Sequence, residues 1–313
     1  MEMELKNKDK MKISFSEYST YIQCPHKWYL QYYHRFPSDS SDELIFGSTV
    51  HGVIEELLTN KLMQRLYKVD KEKIIRDLYQ GCLKDELAKV VDIPFLEKFK
   101  NNGLARIFMY QTEKLIIELD IFERFKNYEI VDVEFLLNGL KIAENDDCEV
   151  IYKGFIDLVL RDKVEGTYVI LDWKTSNKKW DIAKKIKDSE DFFAQLCLYK
   201  HFYSQVKGIP FEDIETKFYN LPRGEPKLQS PYNGHLKREY VDHFMKHFIE
   251  TCFKIYEHKQ TLLNFTKIKM VTKKNYCFRC KFNNEYFCDD INEFQVVNKI
   301  QKPNESQPIT PIT

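Results

Sequence analysis

Two aspartates and a lysine are the residues here whose types and spacing could do chemistry. The runs Phe155 to Leu160 and Thr167 to Lys174 are rich in β-branched and aromatic residues and flank a short polar joint ending in Gly166, a strand-turn-strand signature. With a tight loop at 163–166 and Asp162 opposite Thr167, the register predicts Asp157 directly opposite Asp172. Facing residues of an antiparallel pair have Cβ atoms about 5 Å apart, where like charges destabilise each other. Side-chain alternation puts Lys174 on the face of Asp172. Phe155, Val159, Tyr168 and Ile170 share that face, while Ile156, Leu158, Leu171 and Trp173 form the other, so both are apolar. Two carboxylates in such a setting share a proton or hold a cation. A hard ion such as Mg²⁺ uses one or two carboxylates plus water. A lysine beside it can stabilise charge developing on a phosphate or orient a water.

The elements that must position these residues follow from periodicity. Residues 14–36 carry serines at N-cap positions and aromatics at helical spacing, which predicts short helices. An acidic, Ser-rich loop over 37–43 precedes an amphipathic helix over 46–66, and 71–126 reads as further helices. Strands are expected at 129–137, 150–160, 167–174 and 215–221, and helices at 189–206 and 236–258. No internal repeat is visible. The pattern predicts an α/β fold: a helical N-terminal region, a central mixed sheet flanked by helices, and a cysteine-bearing C-terminal region. A flexible lead-in over 1–12, one domain over 13–295 and a disordered tail over 296–313 complete the expected organisation.

Composition bounds the function classes. Forty-three per cent of the 313 residues are apolar, a globular and not a disordered composition. No run approaches the roughly 18 apolar residues of a membrane helix, and the first twelve residues do not read as a secretory signal. The expected setting is intracellular, in a cell's cytoplasm or, for a viral protein, the host's, where eight cysteines do not imply disulfides. Lys and Arg total 48, as do Asp and Glu, which argues against a duplex-coating protein, since that affinity needs many phosphate contacts. Local basic stretches lie at 178–187 and 267–281; each reads equally as a solvated face or a phosphate-binding one.

The motif Gly154-Phe155-Ile156-Asp157, fourteen intervening residues, then Asp172-Trp173-Lys174-Thr175 resembles the PD-(D/E)XK core of the RecB-like nucleases. The resemblance implies a restriction-endonuclease-like core using Mg²⁺ or Mn²⁺. It extends to neighbouring positions in the expected order. His51, with Gly47, matches a G-x-x-x-H helix and is implied as a metal ligand beside Asp157 and Asp172. Gln195 and Tyr199 match a Q-x-x-x-Y helix; four apart, they share a face and are implied to orient Lys174 or the substrate. Glu134 resembles the acidic residue on the strand before the core hairpin.

Cys277, Cys280 and Cys288 form a C-x2-C-x7-C trio, one ligand short of a tetrahedral site. Cys24, in STYIQCPHKWYLQY, resembles the N-terminal cysteine of the iron–sulfur branch of these nucleases, which includes AddB-type and CRISPR-associated exonucleases. There, such a cysteine and a C-terminal trio ligate one 4Fe–4S cluster, which would staple both ends of the chain. The x7 spacing is longer than usual in that branch, and a Cys₄ zinc site is the alternative. Cys82, Cys148, Cys197 and Cys252 read as ordinary buried residues.

The resemblance therefore implies a metal-dependent DNA exonuclease acting on single strands or ends, in recombination, repair, replication or CRISPR-like adaptation. The alternatives are a weak or inactive end-binding scaffold and a structure-specific endonuclease of the same fold. No P-loop motif is present, so any helicase or recombination partner would act in trans.

Overall fold

The computed structural model describes residues 8–36, 41–188, 192–223, 228, 230–260 and 280. In chain order the elements are β1 (Asp9–Ile13), α1 (Phe15–Gln23), α2 (Pro25–Trp28), a π-helical turn (Tyr29–Tyr33), α3 (Asp42–Thr59), α4 (Lys61–Tyr67), α5 (Lys71–Ala88), α6 (Ile93–Asn101), α7 (Leu104–Leu119), α8 (Ile121–Arg124), β2 (Tyr128–Glu144), β3 (Cys148–Asp162), β4 (Tyr168–Ser176), α9 (Ile182–Asp188), α10 (Ala194–Lys207), a 3₁₀ turn (Phe211–Asp213), β5 (Ile214–Pro222), β6 (Tyr232–Asn233) and α11 (Arg238–Gln260). Two compact units emerge, one from residues 1–15 and 37–256, the other from 16–36 and 257–313.

The first unit carries the expected mixed sheet, and β3 is its hub. β2 runs antiparallel along one edge of β3 from Tyr128↔Asp162 to Glu144↔Glu149. The other edge is shared: β1 pairs parallel with Cys148–Tyr152, and β4 pairs antiparallel with Leu158–Arg161. Residues 153–157 lie between those two ladders. β5 then adds parallel to β4, and β6 closes the order. Leu158, Leu160, Val169, Leu171, Trp173, Tyr219 and Leu221 project from one face into a core with α3, α5 and α7. Each such buried apolar side chain contributes roughly 1.5–3 kcal/mol to the sheet's stability.

Several elements differ from the sequence reading for local reasons. The helix expected over 46–66 is two helices, because Asn60 is extended (φ −92, ψ 103) and its Oδ1 accepts from the amides of Leu62 and Met63. An N-cap residue inside a helical pattern thus stops one helix and starts the next. α3 also begins earlier than expected, capped by Ser41, whose Oγ accepts from Leu44 N at 3.2 Å. Residues 9–12, read as part of the lead-in, form β1 together with Ile13. The second unit holds α1, α2 and the π turn, and is tied by Glu17, which accepts from Trp28 Nε1 (3.1 Å) and Lys259 Nζ (2.9 Å), and by Tyr21 bonded to His258 Nδ1 (2.7 Å). Among the described residues no helix is long and apolar enough to cross a membrane.

Candidate active site

The β3–β4 register is the expected one through Leu158↔Leu171, but the ladder stops one residue short of the aspartates. Asp157 does not form a regular facing pair with Asp172. Its Oδ2 instead accepts from the Trp173 amide at 2.7 Å, taking the place of a ladder bond. The physical reason lies in β3's shared edge: toward Gly154 that edge passes from β4 to β1, so the strands part where Asp157 stands. Gly154 is held free of a side chain there, since a Cβ would meet Tyr152 Oη at 2.6 Å.

His51 comes to this opening from α3. Its Nδ1 lies 3.8 Å from Asp157 Oδ1. The helix approaches β4 closely because position 47 is glycine: a Cβ there would sit 2.8 Å from Thr175 Oγ1. Burial lowers the His51 pKa, with the Asp172 charge working the other way, which favours the neutral imidazole that a metal requires.

Glu134 arrives by a backbone irregularity. It has φ +48 within β2, a left-handed conformation that side-chain-bearing residues seldom adopt. The kink breaks alternation, so Asp132 and Phe135 both face α10: Tyr203 donates to Asp132 at 2.7 Å and its ring meets Phe135 at 5.5 Å. Glu134 between them is turned to His51 and Asp157, and one donor atom of each of the three lies within 4.8 Å of the others. Strain of this kind costs on the order of 1–3 kcal/mol and persists where surroundings impose it.

Asp172 is 1% exposed. Its Oδ2 holds Lys174 Nζ at 2.7 Å, and the same ammonium donates to Gln195 Oε1 at 2.8 Å. Gln195 Nε2 in turn donates to Tyr199 Oη at 2.6 Å. A hydrogen-bonded row from α10 therefore fixes the lysine beside the carboxylate. Gln195 and Tyr199 sit one helical turn apart on α10, as their spacing requires.

The carboxylates of this cluster are pushed toward their neutral forms by burial and by one another. Burial, then the charges of Asp157, Glu55 and Asp172, push Glu134 up to about 8. Burial pushes Asp157 to about 6 against the pull of Lys174, and Asp172 to about 6, where Lys174 opposes and Asp157 adds. One lysine does not neutralise three carboxylates. His51 with the carboxylates of Glu134 and Asp157, whose donor atoms lie within 4.8 Å of one another, fits a hard divalent cation, with Asp172 beside them.

The structure thus brings together His51, Glu134, Asp157, Asp172, Lys174, Gln195 and Tyr199. Sequence reasoning missed Glu55, whose charge reaches Glu134; its signal was the one-turn spacing from His51 on α3. Cys24 caps α2, its Sγ accepting from Lys27 N at 3.4 Å, and Cys280 is described, but Cys277 and Cys288 lie outside the described residues. The basic stretch over 267–281 and the tail over 296–313 fall almost wholly outside them too. Cys148, Cys197 and Cys252 are buried and Cys82 half-buried, packed under Gly52.

Comparison with known proteins identifies the family. The family model of the PD-(D/E)XK nuclease superfamily matches residues 12–284. The B subunits of the ATP-dependent helicase/deoxyribonuclease from Clostridium perfringens strains SM101 and 13 are 26% and 27% identical over 198 residues. That alignment covers 57% of this chain and 16% of those proteins, so the chain spans about a sixth of their length. A solved structure from Eubacterium rectale, provisionally described as an exonuclease, superposes with a TM-score of 0.46 at 15% identity, over 80% of this chain and 82% of that one. The chain is a RecB-like member of the PD-(D/E)XK nuclease superfamily.

Proposed function

We propose that the protein is a Mg²⁺- or Mn²⁺-dependent deoxyribonuclease, an exonuclease working on single strands or DNA ends. The observation that carries this reading is the cluster of His51 with half-buried Glu134 and Asp157, next to buried Asp172 and a lysine fixed by two partners. His51, Glu134, Asp157 and Asp172 would hold the ion. When bound, such an ion supplies Lewis-acid stabilisation of phosphate oxygens and activation of the attacking water.

The chain's own residues do the rest. Lys174 is aimed by Asp172 and Gln195, so its ammonium is in place before the phosphate arrives and costs no reorganisation as negative charge develops. Tyr199 holds Gln195, which keeps the amide oxygen turned to the lysine. His51, neutral by burial, donates no competing positive charge to the phosphate site. Asp157, anchored on the Trp173 amide, is fixed in the gap between strands.

For the cysteines we propose a 4Fe–4S cluster on Cys24, Cys277, Cys280 and Cys288, with Zn²⁺ as the other metal such a set accepts. Support comes from the helix before Cys24 lying against the end of α11, tied by Tyr21–His258 and Glu17–Lys259. DNA is the partner the family implies, and the similarity to a helicase/deoxyribonuclease subunit makes a helicase acting in trans a natural collaborator.

Labelled single-stranded DNA should be degraded with Mg²⁺ or Mn²⁺ and spared with a chelator, by Asp172→Ala and by Lys174→Ala. End-labelled linear strands should be cut and circular ones spared. Cleavage of circles would turn the reading to an endonuclease, and a purified protein that binds ends but leaves all DNA intact with either metal would replace it with a scaffold.

A further inference from the structure

A second feature lies one strand away from Lys174. β5 pairs in register with β4, so Phe218 is the neighbour of Asp172 and Asn220 that of Lys174. Neighbours in a parallel ladder project to the same face, and adjacent strands are about 4.8 Å apart. The Phe218 ring centroid lies 5.9 Å from Lys174 Nζ. Beyond it opens a cleft of about 250 Å³ lined by Trp180, Phe218, Asn220, Ser230 and Tyr232.

The cleft is built of rings that brace one another. Trp180 meets Phe218 edge-on at 5.9 Å and Phe192 at 5.6 Å. Phe193 stacks on Tyr232 at 5.9 Å with 18° between planes. Phe193 and Phe218 are buried while Trp180 and Tyr232 are half-buried, so the inner rings are buttresses and the outer two present surface. An ordinary core would close such a space, since interiors pack to near-crystalline density. Asn220, whose Oδ1 accepts from Ser176 Oγ at 2.6 Å, and Ser230 are the polar residues of its lining.

Positive charge lies beside Trp180. Trp180 belongs to the basic stretch over 178–187, in which Lys178, Lys179, Lys184 and Lys185 are exposed, with Lys185 Nζ 4.9 Å from the Trp180 ring centroid. Aromatic platforms beside a cationic track are the means by which proteins hold single strands: rings take bases, lysines take phosphates. A small-molecule occupant would leave the cations and the adjoining phosphate-directed lysine without a role.

We propose that this cleft is a base-stacking subsite, taking the nucleobase that adjoins the phosphate being cut. The inference rests on the nuclease reading above and deepens it. A paired base in an intact duplex could not enter, so the subsite selects unpaired strands or frayed ends. Stacking is tolerant of sequence because every base has a π face, and the exposed Ser230 hydroxyl at the rim can bond a base edge.

The test is an abasic scan: single-stranded oligonucleotides, each lacking one base at a known position, cut by the full-length protein with Mn²⁺. At one position relative to the cut, loss of the base should lower kcat/KM about 5- to 150-fold, the range that loss of one aromatic stack produces. Trp180→Ala should lower kcat/KM on intact DNA by a similar factor, and in that variant the abasic site should cost little more. A flat scan in the wild-type protein, which needs no variant to fold, would overturn the subsite while leaving the nuclease reading intact. Multiplicative losses from Trp180→Ala and the abasic site would do the same. No cleavage of any unmodified strand would sink the nuclease reading itself, and this inference with it.

Discussion

Asp172→Asn should make the metal-free protein more stable at neutral pH while abolishing cleavage. Burial raises the Asp172 pKa from 3.8 to about 6, with Lys174 opposing and Asp157 adding. A change of that size corresponds to roughly 3 kcal/mol by linkage. The sign follows from the folded value lying above the unfolded one. Below pH 3.8 both states hold the proton and nothing is lost. As pH rises from 3.8 through about 6 the unfolded chain ionises first, and the folded state falls behind by the full amount above that window. Asparagine removes the charge, so its advantage should be absent near pH 3.5, grow between pH 4 and 6, and be constant beyond. At about 2–4 °C per kcal/mol for a domain of this size, the gain in Tm at pH 7.5 is at most about 6–12 °C. The amide must still place its N–H groups, which takes the observed value below that limit. A divalent ion should reverse the order, because wild type gains about 2.7 kcal/mol when the ion is at 100 times its Kd and the variant loses a ligand. Thermal unfolding in chelator and in Mn²⁺ across pH 4–8 reads all of this. If the variant is less stable than wild type in chelator at pH 7.5, the ionised carboxylate is no liability. The charge argument for a bound cation would then fail.

Three further outcomes follow from particular contacts. Gln195→Ala removes one acceptor from the Lys174 ammonium, an interaction worth about 1.5–3 kcal/mol, and should lower kcat roughly 10- to 150-fold while calorimetric Mn²⁺ affinity stays put; an equal loss of metal affinity would mean that Gln195 holds the scaffold and not the lysine. Gly47→Ala should weaken metal binding and lower Tm, since its Cβ would stand 2.8 Å from Thr175 Oγ1, and overpacking of this kind costs about 1–3 kcal/mol. Thr175→Ala in the same chain should restore both, and absence of rescue would show that the α3–β4 approach does not set His51. Anaerobically purified protein should be brown, with visible absorbance lost on Cys24→Ala; colourless protein carrying stoichiometric zinc would put zinc in its place.

What could be read from the sequence was local. The alternation of Phe155–Leu160 and Tyr168–Lys174 fixed both strands and their register, because the loop at 163–166 is short and closes through Asp162, whose amide donates to Thr167 O at 2.8 Å. The one-turn spacing of Gln195 and Tyr199 likewise required a shared helix face. What could not be read was non-local. The parting of β3 from β4 at Asp157 depends on β1, a strand within a segment that reads as a polar lead-in. Glu134 reaches the site through a positive φ that no propensity for glutamate in a strand predicts. The cleft beside Phe218 draws on β5, on β6 and on the residues before α9, segments that are unremarkable one at a time.

These non-local features are also where the fold gives up stability. A regular β3–β4 ladder through Asp157, a right-handed Glu134 and a neutralised Asp172 would each lower the free energy of the empty protein. The first two irregularities instead turn the carboxylates of Asp157 and Glu134 to one point, shared with His51, and the third leaves a buried charge beside it. Three such costs gathered in one neighbourhood from three successive strands are hard to account for as accidents of packing, since an accident at one strand has no reason to share a target with the next. A cation at that point offsets all three at once: it meets the charge of Asp172, rewards the turn at Glu134 and gives Asp157 a partner beyond the Trp173 amide. The strain and the raised pKa values are therefore one observation, and a variant that relieves any of them should bind metal more weakly in proportion to the stability it gains.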